Sequence, residues 1–259
     1  MKIKLILLTL LIIITSLNVS AQTADEIVET YFENTGGIDN WRALSGMIAK
    51  ATINQQGMEI PITMIFLKDG RQMMKFELQG KELSQNVFDG EIVWGHNFMT
   101  MDAEKSDSET AENMKRESQD FPDPFLDYKE KGYSIELLGE ETVEGVECFN
   151  VKLTKKTQLV DGQEVDNINY YFFDQENFVP IVVESEIKSG EMKGKTRQVI
   201  FSDYEEVDGL YFAFSISEGI KDMYSQTINF TSIELNPTVD DAVFKFPAST
   251  TLETPVIEE

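Results

Sequence analysis

Alternating apolar and polar residues recur along most of this chain and predict short antiparallel strands. Residues 210–217 show the pattern clearly, because every second position there is large and apolar. A period of two places such side chains on one face of a strand. These apolar positions are Leu210, Phe212, Phe214 and Ile216.

Turn signals separate the predicted strands. Asp208-Gly209 precedes the strand at 210–217, and Asp161-Gly162 lies between two further apolar runs. Such pairs supply the positive φ angles that a tight hairpin requires. Gly219 is expected in the connection to a strand at about 223–235, whose buried face is predicted to carry Tyr224, Ile228 and Phe230.

The region before the strands predicts one amphipathic helix over Thr23 to Thr35. Ile27, Val28, Tyr31 and Phe32 fall on one helical stripe. Thr23 with Glu26 three residues later has the form of a capping box, and Gly36-Gly37 is expected to end the helix.

A polar stretch interrupts the strand pattern between residues 102 and 133. Ala103 to Ser118 is predicted to be a helix or a mobile loop, and Phe125, Leu126 and Tyr128 are expected to begin another short helix. Two interpretations stay open. The stretch is either a surface excursion between two halves of the sheet or a lid across a cavity.

A candidate apolar binding surface follows from the same period of two. A closed barrel would fill its interior with these side chains, whereas an incompletely filled barrel would expose them in a concavity that suits acyl chains. The candidate lining residues are Ile62, Met64, Phe66, Met74, Phe76, Phe149, Val151, Ile181, Val183, Phe212 and Phe214.

Composition and charge exclude several classes of partner. The chain has 259 residues, a net charge of −24 and 41% hydrophobic residues, which is enough for a sizeable core. So acidic a chain is not expected to bind nucleic acid, and its net charge argues against adsorption to an anionic membrane. No linker rich in proline, glycine or serine divides the sequence, so residues 22–259 are predicted to form one domain.

Residues 1–21 have the form of a secretory signal peptide. Lys2 and Lys4 precede an apolar run at 5–17, and Val19-Ser20-Ala21 ends in small residues. Cleavage after Ala21 would leave a chain with 20 basic and 46 acidic residues and a net charge of −26. The sequence therefore predicts a soluble protein that is secreted across the inner membrane.

The residues of a catalytic or metal site are sparse. His96 is the one histidine and Cys148 the one cysteine, so histidine-dependent triads and multi-histidine metal sites are not expected. His96 is predicted to lie in an exposed loop and Cys148 to be a buried structural residue. No phosphate loop or dinucleotide motif occurs. We therefore predict no catalytic residue, no metal, no cofactor and no enzymatic activity.

Most of the chain after the signal peptide resembles the outer-membrane lipoprotein-sorting (LolA-like) proteins. The resemblance rests on residues 203–212, Ile233-Glu234-Leu235-Asn236-Pro237 and residues 240–247, with Gly36-Gly37-Ile38-Asp39-Asn40-Trp41 near the start. It implies a mainly β fold with helical elements, namely an unclosed antiparallel β-barrel with helices as a lid over an apolar cavity.

The same resemblance implies a function. The chain is expected to be a non-enzymatic periplasmic carrier that binds lipid or lipoprotein acyl chains and exchanges them with membrane-bound donor or acceptor proteins. The first alternative is an envelope sensor or accessory protein of the same fold that recognises lipoproteins and acts through a protein partner. The second is a cell-envelope protein whose barrel is filled and which binds proteins through its acidic outer face.

Overall fold

A computed structural model describes residues 22–55, 57–78 and 80–247 of the chain. The predicted signal peptide lies outside these residues. No helix in the described ranges is long and apolar enough to cross a lipid bilayer.

The described residues form three helices, fifteen strands and two short 3₁₀ turns. The helices are α1 (Ala24–Asn34), α2 (Ile38–Ala43) and α3 (Ser108–Glu117), and the 3₁₀ turns are Ser118–Asp120 and Asp241–Phe244. The strands are β1 (Gly46–Gln55), β2 (Met58–Leu67), β3 (Gln72–Leu78), β4 (Lys81–Phe88), β5 (Val93–His96), β6 (Ala103–Lys105), β7 (Ser134–Val143), β8 (Val146–Thr154), β9 (Gln158–Val160), β10 (Gln163–Val165), β11 (Ile168–Asp174), β12 (Pro180–Glu186), β13 (Thr196–Val207), β14 (Leu210–Ile220) and β15 (Tyr224–Leu235).

Thirteen of these strands form one antiparallel sheet in the order β6-β5-β4-β3-β2-β1-β15-β14-β13-β12-β11-β8-β7. Strands β9 and β10 pair separately as a small hairpin. The outer strands β6 and β7 do not pair with each other, so the sheet curves without closing. The predicted open half-barrel with helical elements is confirmed.

Helix α1 forms as the sequence pattern predicts. The Thr23 side chain accepts a hydrogen bond from the backbone N–H of Glu26, whose carboxylate accepts from the backbone N–H of Thr23. The apolar stripe of the helix is buried, including Tyr31 and Phe32. These side chains pack with Trp41 of α2 against Phe173 of β11. The two helices therefore cover the concave face near β11.

The concave face continues across β15, β1 and β2, beyond the part that α1 and α2 cover. Cross-strand partners share a face of a sheet. Ala51 pairs with Ile62 on one side and with Phe230 on the other, and Ala49 pairs with Ile233. Strands β1, β2 and β15 thus present one continuous apolar surface.

The C-terminal segment covers the opposite, convex face of β1 to β5. The side chains of Phe244 and Trp94 are buried there, and the indole Nε1 of Trp94 donates to the Phe244 carbonyl at 2.9 Å. Arg71 makes an ion pair with Asp241 at 2.7 Å. Asp240 caps the 3₁₀ turn by accepting from the backbone N–H of Ala242. These contacts hold the C-terminal segment against the convex face of the sheet.

Four local predictions differ from the structure. Residues 103–105 form strand β6, and only the following residues form helix α3. Residues 124–132 form consecutive turns in place of the expected short helix. Gly219 lies inside β14, and Tyr224 is 62% exposed because β15 begins at that residue, at the rim of the sheet.

Gly36 allows the end of α1 to lie close to the β13–β14 hairpin, because glycine has no side chain. Its φ is +113°, and a Cβ there would lie 2.1 Å from the carbonyl oxygen of Gly209. Gly37 is a matched control, because its φ is +90° but a Cβ there would meet no atom within 4 Å. Gly36→Ala is expected to lower the free energy of unfolding by at least about 2 kcal/mol more than Gly37→Ala. Urea denaturation measures the free energy of unfolding of both variants. Equal decreases in the two variants would contradict the close approach of Gly36 to Gly209.

Candidate functional site

A cavity of about 910 Å³ lies between the concave face of β11 to β15 and the segment that carries α3. The sheet side of the cavity is apolar over its middle part. Residues of β12, β13 and β14 line it, and β15 contributes Phe230 and Ile233. The apolar side chains of this wall are Val183, Val199, Phe201, Ile216, Phe230 and Ile233.

Helix α3 forms a polar wall opposite the sheet. Asp107 caps the helix by accepting from the backbone N–H of Thr110, and no residue of α3 is fully buried. Asn113 exchanges two hydrogen bonds of 2.8 Å with the backbone of Leu159. Arg116 donates to the carboxylate of Glu164 at 2.7 Å. Polar contacts to the β9–β10 hairpin therefore hold α3 across the cavity.

The inner end of the cavity contains the partly buried carboxyl group of Asp123. The Tyr31 hydroxyl donates to Asp123 Oδ2 at 2.9 Å, and the backbone N–H of Phe125 donates to Asp123 Oδ1 at 2.8 Å. Burial raises the pKa of Asp123 to about 6, although both hydrogen bonds act in the opposite direction. Burial also raises the pKa of the Tyr31 hydroxyl, so that group stays protonated.

Aromatic side chains surround this inner end. Tyr31, Trp41, Tyr171, Tyr204 and Phe212 line it. The Trp41 and Phe212 rings are 5.1 Å apart, and the Tyr204 hydroxyl donates to the Pro180 carbonyl at 2.7 Å. These contacts fix the shape of the inner end.

Ion pairs line the outer part of the cavity. Arg197 pairs with Glu218 at 2.6 Å, and Lys188 pairs with Glu186 at 2.7 Å. The cavity thus passes from a charged mouth through an apolar middle to an aromatic inner end that contains one carboxyl group.

The structure separates the predicted lining residues into several groups. Val183 and Phe212 line the cavity. Five others, on β2 and β3, lie on the apolar concave surface beside Phe230 and Ile233, outside the cavity itself. Those five residues are Ile62, Met64, Phe66, Met74 and Phe76.

The remaining predicted residues are placed elsewhere. Phe149 and Val151 are buried beneath the helices in the main core. Phe214 is half-buried and is not among the described residues that line the cavity. Ile181 packs on the convex face with Val182, because a bulge pairs Phe172 with Val182 and Phe173 with Pro180. The bulge breaks the period of two that would have kept Ile181 beside Val183.

The polar groups of the inner end were missed by sequence reasoning. Asp123 lies in a Pro-Asp-Pro sequence between two phenylalanines, Phe121 and Phe125. That apolar setting was the one signal for burial, but nothing local brings Asp123 next to Tyr31, which lies 92 residues earlier.

His96 and Cys148 lie apart from the cavity. His96 is half-buried at the end of β5, where its Nδ1 accepts from the backbone N–H of Ser84 at 2.9 Å, so the predicted exposed loop is wrong. Cys148 is buried with Phe172 on the convex face, and burial raises its thiol pKa to about 11. Within the described ranges, no three His, Cys, Asp or Glu side chains lie close enough together to hold a metal ion.

Comparisons with known proteins identify the fold. A LolA superfamily protein from Nitrosomonas europaea superposes with a TM-score of 0.52 at 12% sequence identity, over 87% of this chain and 98% of the other. This chain has the LolA-superfamily fold. The resemblance inferred from the turn and strand-end motifs is confirmed at that level.

A further solved structure and a protein family also match. A DUF1329 family protein from Desulfovibrio piger superposes with a TM-score of 0.48 at 15% identity, again over 87% of this chain and 98% of the other. A protein family described as an uncharacterized protein matches residues 123–248. No curated protein matches the sequence.

The raised pKa of Asp123 predicts a specific dependence of stability on pH. Between its ordinary value of 3.8 and about 6, the folded protein holds this proton more tightly than the unfolded chain does. The contribution of Asp123 to stability is therefore fully present below that window and is lost as pH rises through it.

Asp123→Asn removes this dependence and keeps an oxygen that can accept from Tyr31. The stability of the variant relative to the wild type is expected to increase by up to about 3 kcal/mol between about pH 4 and pH 8. Urea denaturation of both proteins across that range measures the difference, in which the other titrating groups cancel. Parallel stability curves would show that the carboxyl group is not buried as described.

Proposed function

We propose that this protein is a carrier that binds lipid or lipoprotein acyl chains in the LolA-like cavity and catalyses no reaction. The observation that carries the proposal is the apolar wall of a cavity of about 910 Å³. An acyl chain needs apolar area and no directional contacts. Burial of about ten methylene groups would contribute about 8 kcal/mol, and part of this offsets the entropy lost on association, so that reversible binding is expected.

The attachment of α3 supports reversible loading. The helix contacts the rest of the chain through polar groups such as Asn113 and Arg116, and none of its side chains is fully buried. Elements with few buried apolar contacts open at a low free-energy cost. Displacement of α3 would admit or release a ligand without disturbing the core under α1.

The cellular setting belongs to the same proposal. The signal-peptide pattern of residues 1–21 and the LolA-superfamily fold support a soluble periplasmic protein. A carrier of this kind would exchange its ligand with membrane-bound donor or acceptor proteins. It would require no metal or cofactor.

A cavity-filling substitution tests the proposal. Ile216 lines the cavity, whereas Ser217, the next residue of β14, lies on the opposite face of the sheet. Ile216→Trp is expected to weaken binding of a fluorescent fatty acid by at least about tenfold, because the indole would occupy the space of the chain. Ser217→Trp is the matched control and is expected to bind as the wild type does.

Fluorescence titration of the three proteins measures these affinities, and circular dichroism checks that each variant keeps its β structure. Saturable binding in wild type and Ser217→Trp, with loss in folded Ile216→Trp, supports the carrier. Absence of saturable binding to the wild type, or equal binding by both tryptophan variants, would contradict it.

A further inference from the structure

The carboxylate of Asp123 has hydrogen-bonding capacity that the described residues do not use. Each of its two oxygens accepts one hydrogen bond, from Tyr31 and from the backbone of Phe125. An ionised carboxylate can accept about four. Two acceptor positions therefore remain for a donor at the inner end of the cavity.

The charge of Asp123 is also not neutralised by a direct ion pair within the described ranges. Lys131 is the nearest cation that acts on it, but the Lys131 ammonium donates to the backbone carbonyl of Asp123 at 2.9 Å and makes no ion pair with the carboxylate. Lys155, the next lysine in this region, pairs with Asp120 at 2.7 Å. The inner end therefore keeps an anionic group without a counter-ion in contact.

The aromatic side chains around Asp123 favour the same kind of ligand. Tyr171 lines the cavity, and its hydroxyl makes no hydrogen bond to another described residue. The rings of Tyr31, Trp41 and Tyr204 line the same end. Aromatic faces attract cations, and the attraction strengthens where water is excluded.

We propose that Asp123 and the surrounding aromatic rings form a subsite for the ammonium group of a cationic amphiphile, whose hydrocarbon chain lies along the apolar wall. The proposal rests on the proposed function, since the chain would occupy the same cavity. The ammonium would supply donors to Asp123 and sit against Tyr31 and Tyr171. The hydrocarbon would run past Phe201 and Ile216 toward the mouth.

The same geometry disfavours an anionic group at the inner end. A ligand carboxylate placed there would face Asp123 in a region of low dielectric constant, and like charges repel strongly in such a setting. A neutral alcohol could donate one hydrogen bond but would not neutralise the charge. The subsite is therefore expected to rank ammonium above alcohol and alcohol above carboxylate.

The preference of the subsite for an ammonium group over an alcohol is expected to depend on pH. The pKa of Asp123 is about 6, so the carboxylate predominates above that value and the neutral acid below it. The groups that face it are Tyr31 from α1, Tyr171 from β11, Tyr204 from β13, and Asp120 and Lys131 from its own segment. Burial raises the pKa of all three tyrosines, so they stay neutral over this range.

Three probes of equal chain length test the proposal: dodecylammonium, dodecanol and dodecanoate. Each competes with a bound fluorescent fatty alcohol at about pH 8, two units above the pKa of Asp123. Wild-type protein is expected to bind dodecylammonium at least about tenfold more tightly than dodecanol, and dodecanoate more weakly than either.

Asp123→Asn is expected to bind dodecylammonium no more tightly than dodecanol, because the amide offers no negative charge to the ammonium group. Glu33→Gln is the matched control, because Glu33 is an exposed acidic residue of α1. It removes one negative charge from a chain whose net charge is −24, and it is expected to keep the wild-type preference. Equal loss of preference in both variants would mean non-specific attraction to an acidic protein and would overturn the proposal.

The wild type alone provides a second measurement that does not depend on a variant. Its preference for dodecylammonium over dodecanol is expected to fall toward one as the pH is lowered from about 8 to about 5. If the ratio of the two affinities stayed the same over this pH range, the proposed ammonium subsite would be wrong. If none of the probes binds saturably, the carrier itself fails; if dodecanol binds and dodecylammonium binds no better, only the ammonium subsite fails.

Discussion

The aromatic packing of α1 and α2 on the concave face of the sheet determines where the cavity lies. Tyr31, Phe32 and Trp41 contact one another and cover Phe173 of β11. The helices are short, 11 and 6 residues, and a sheet of thirteen strands has a larger concave face than they can cover. The uncovered part of that face becomes the wall of the cavity, and the helical cluster forms its inner end.

The two sides of the cavity are held by different kinds of interaction. The inner end is fixed by buried apolar area, which contributes about 25 cal/mol per Å² and makes α1 and α2 costly to displace. The α3 side is held by hydrogen bonds and ion pairs near solvent, each of which contributes about 1 kcal/mol or less. We therefore expect the structure to open at α3, while the inner end with Asp123 keeps its shape.

Much of the fold could be predicted from local sequence signals. The capping box of α1, the alternation in β14 and the turn at Asp208-Gly209 each depend on a few neighbouring residues, and all three are present in the structure. Asp208 and Gly209 both adopt positive φ, as a tight hairpin requires. Such signals predict individual elements and their antiparallel order, whereas the open form of the sheet was implied by the resemblance to the LolA-like proteins.

The candidate site was harder to predict because it depends on which concave residues the helices cover. The alternating pattern assigns Phe149 and Phe212 to a face of the sheet. It does not show that Phe149 is buried in the core under α1, whereas Phe212 lines the cavity. A single bulge moved Ile181 to the other face. Asp123 was missed because its partner Tyr31 is distant in sequence, and such contacts are decided by tertiary packing.

We propose that the cavity holds an acyl chain in the native protein, and native mass spectrometry can test this proposal. Protein purified without detergent from the cell envelope of its source is to be measured folded and then unfolded. We expect the mass of the folded protein to exceed the mass of the polypeptide chain by that of one lipid. The lipid is expected to be released when the protein is unfolded. A folded mass equal to that of the bare chain, with no lipid in an organic extract of the same sample, would contradict it.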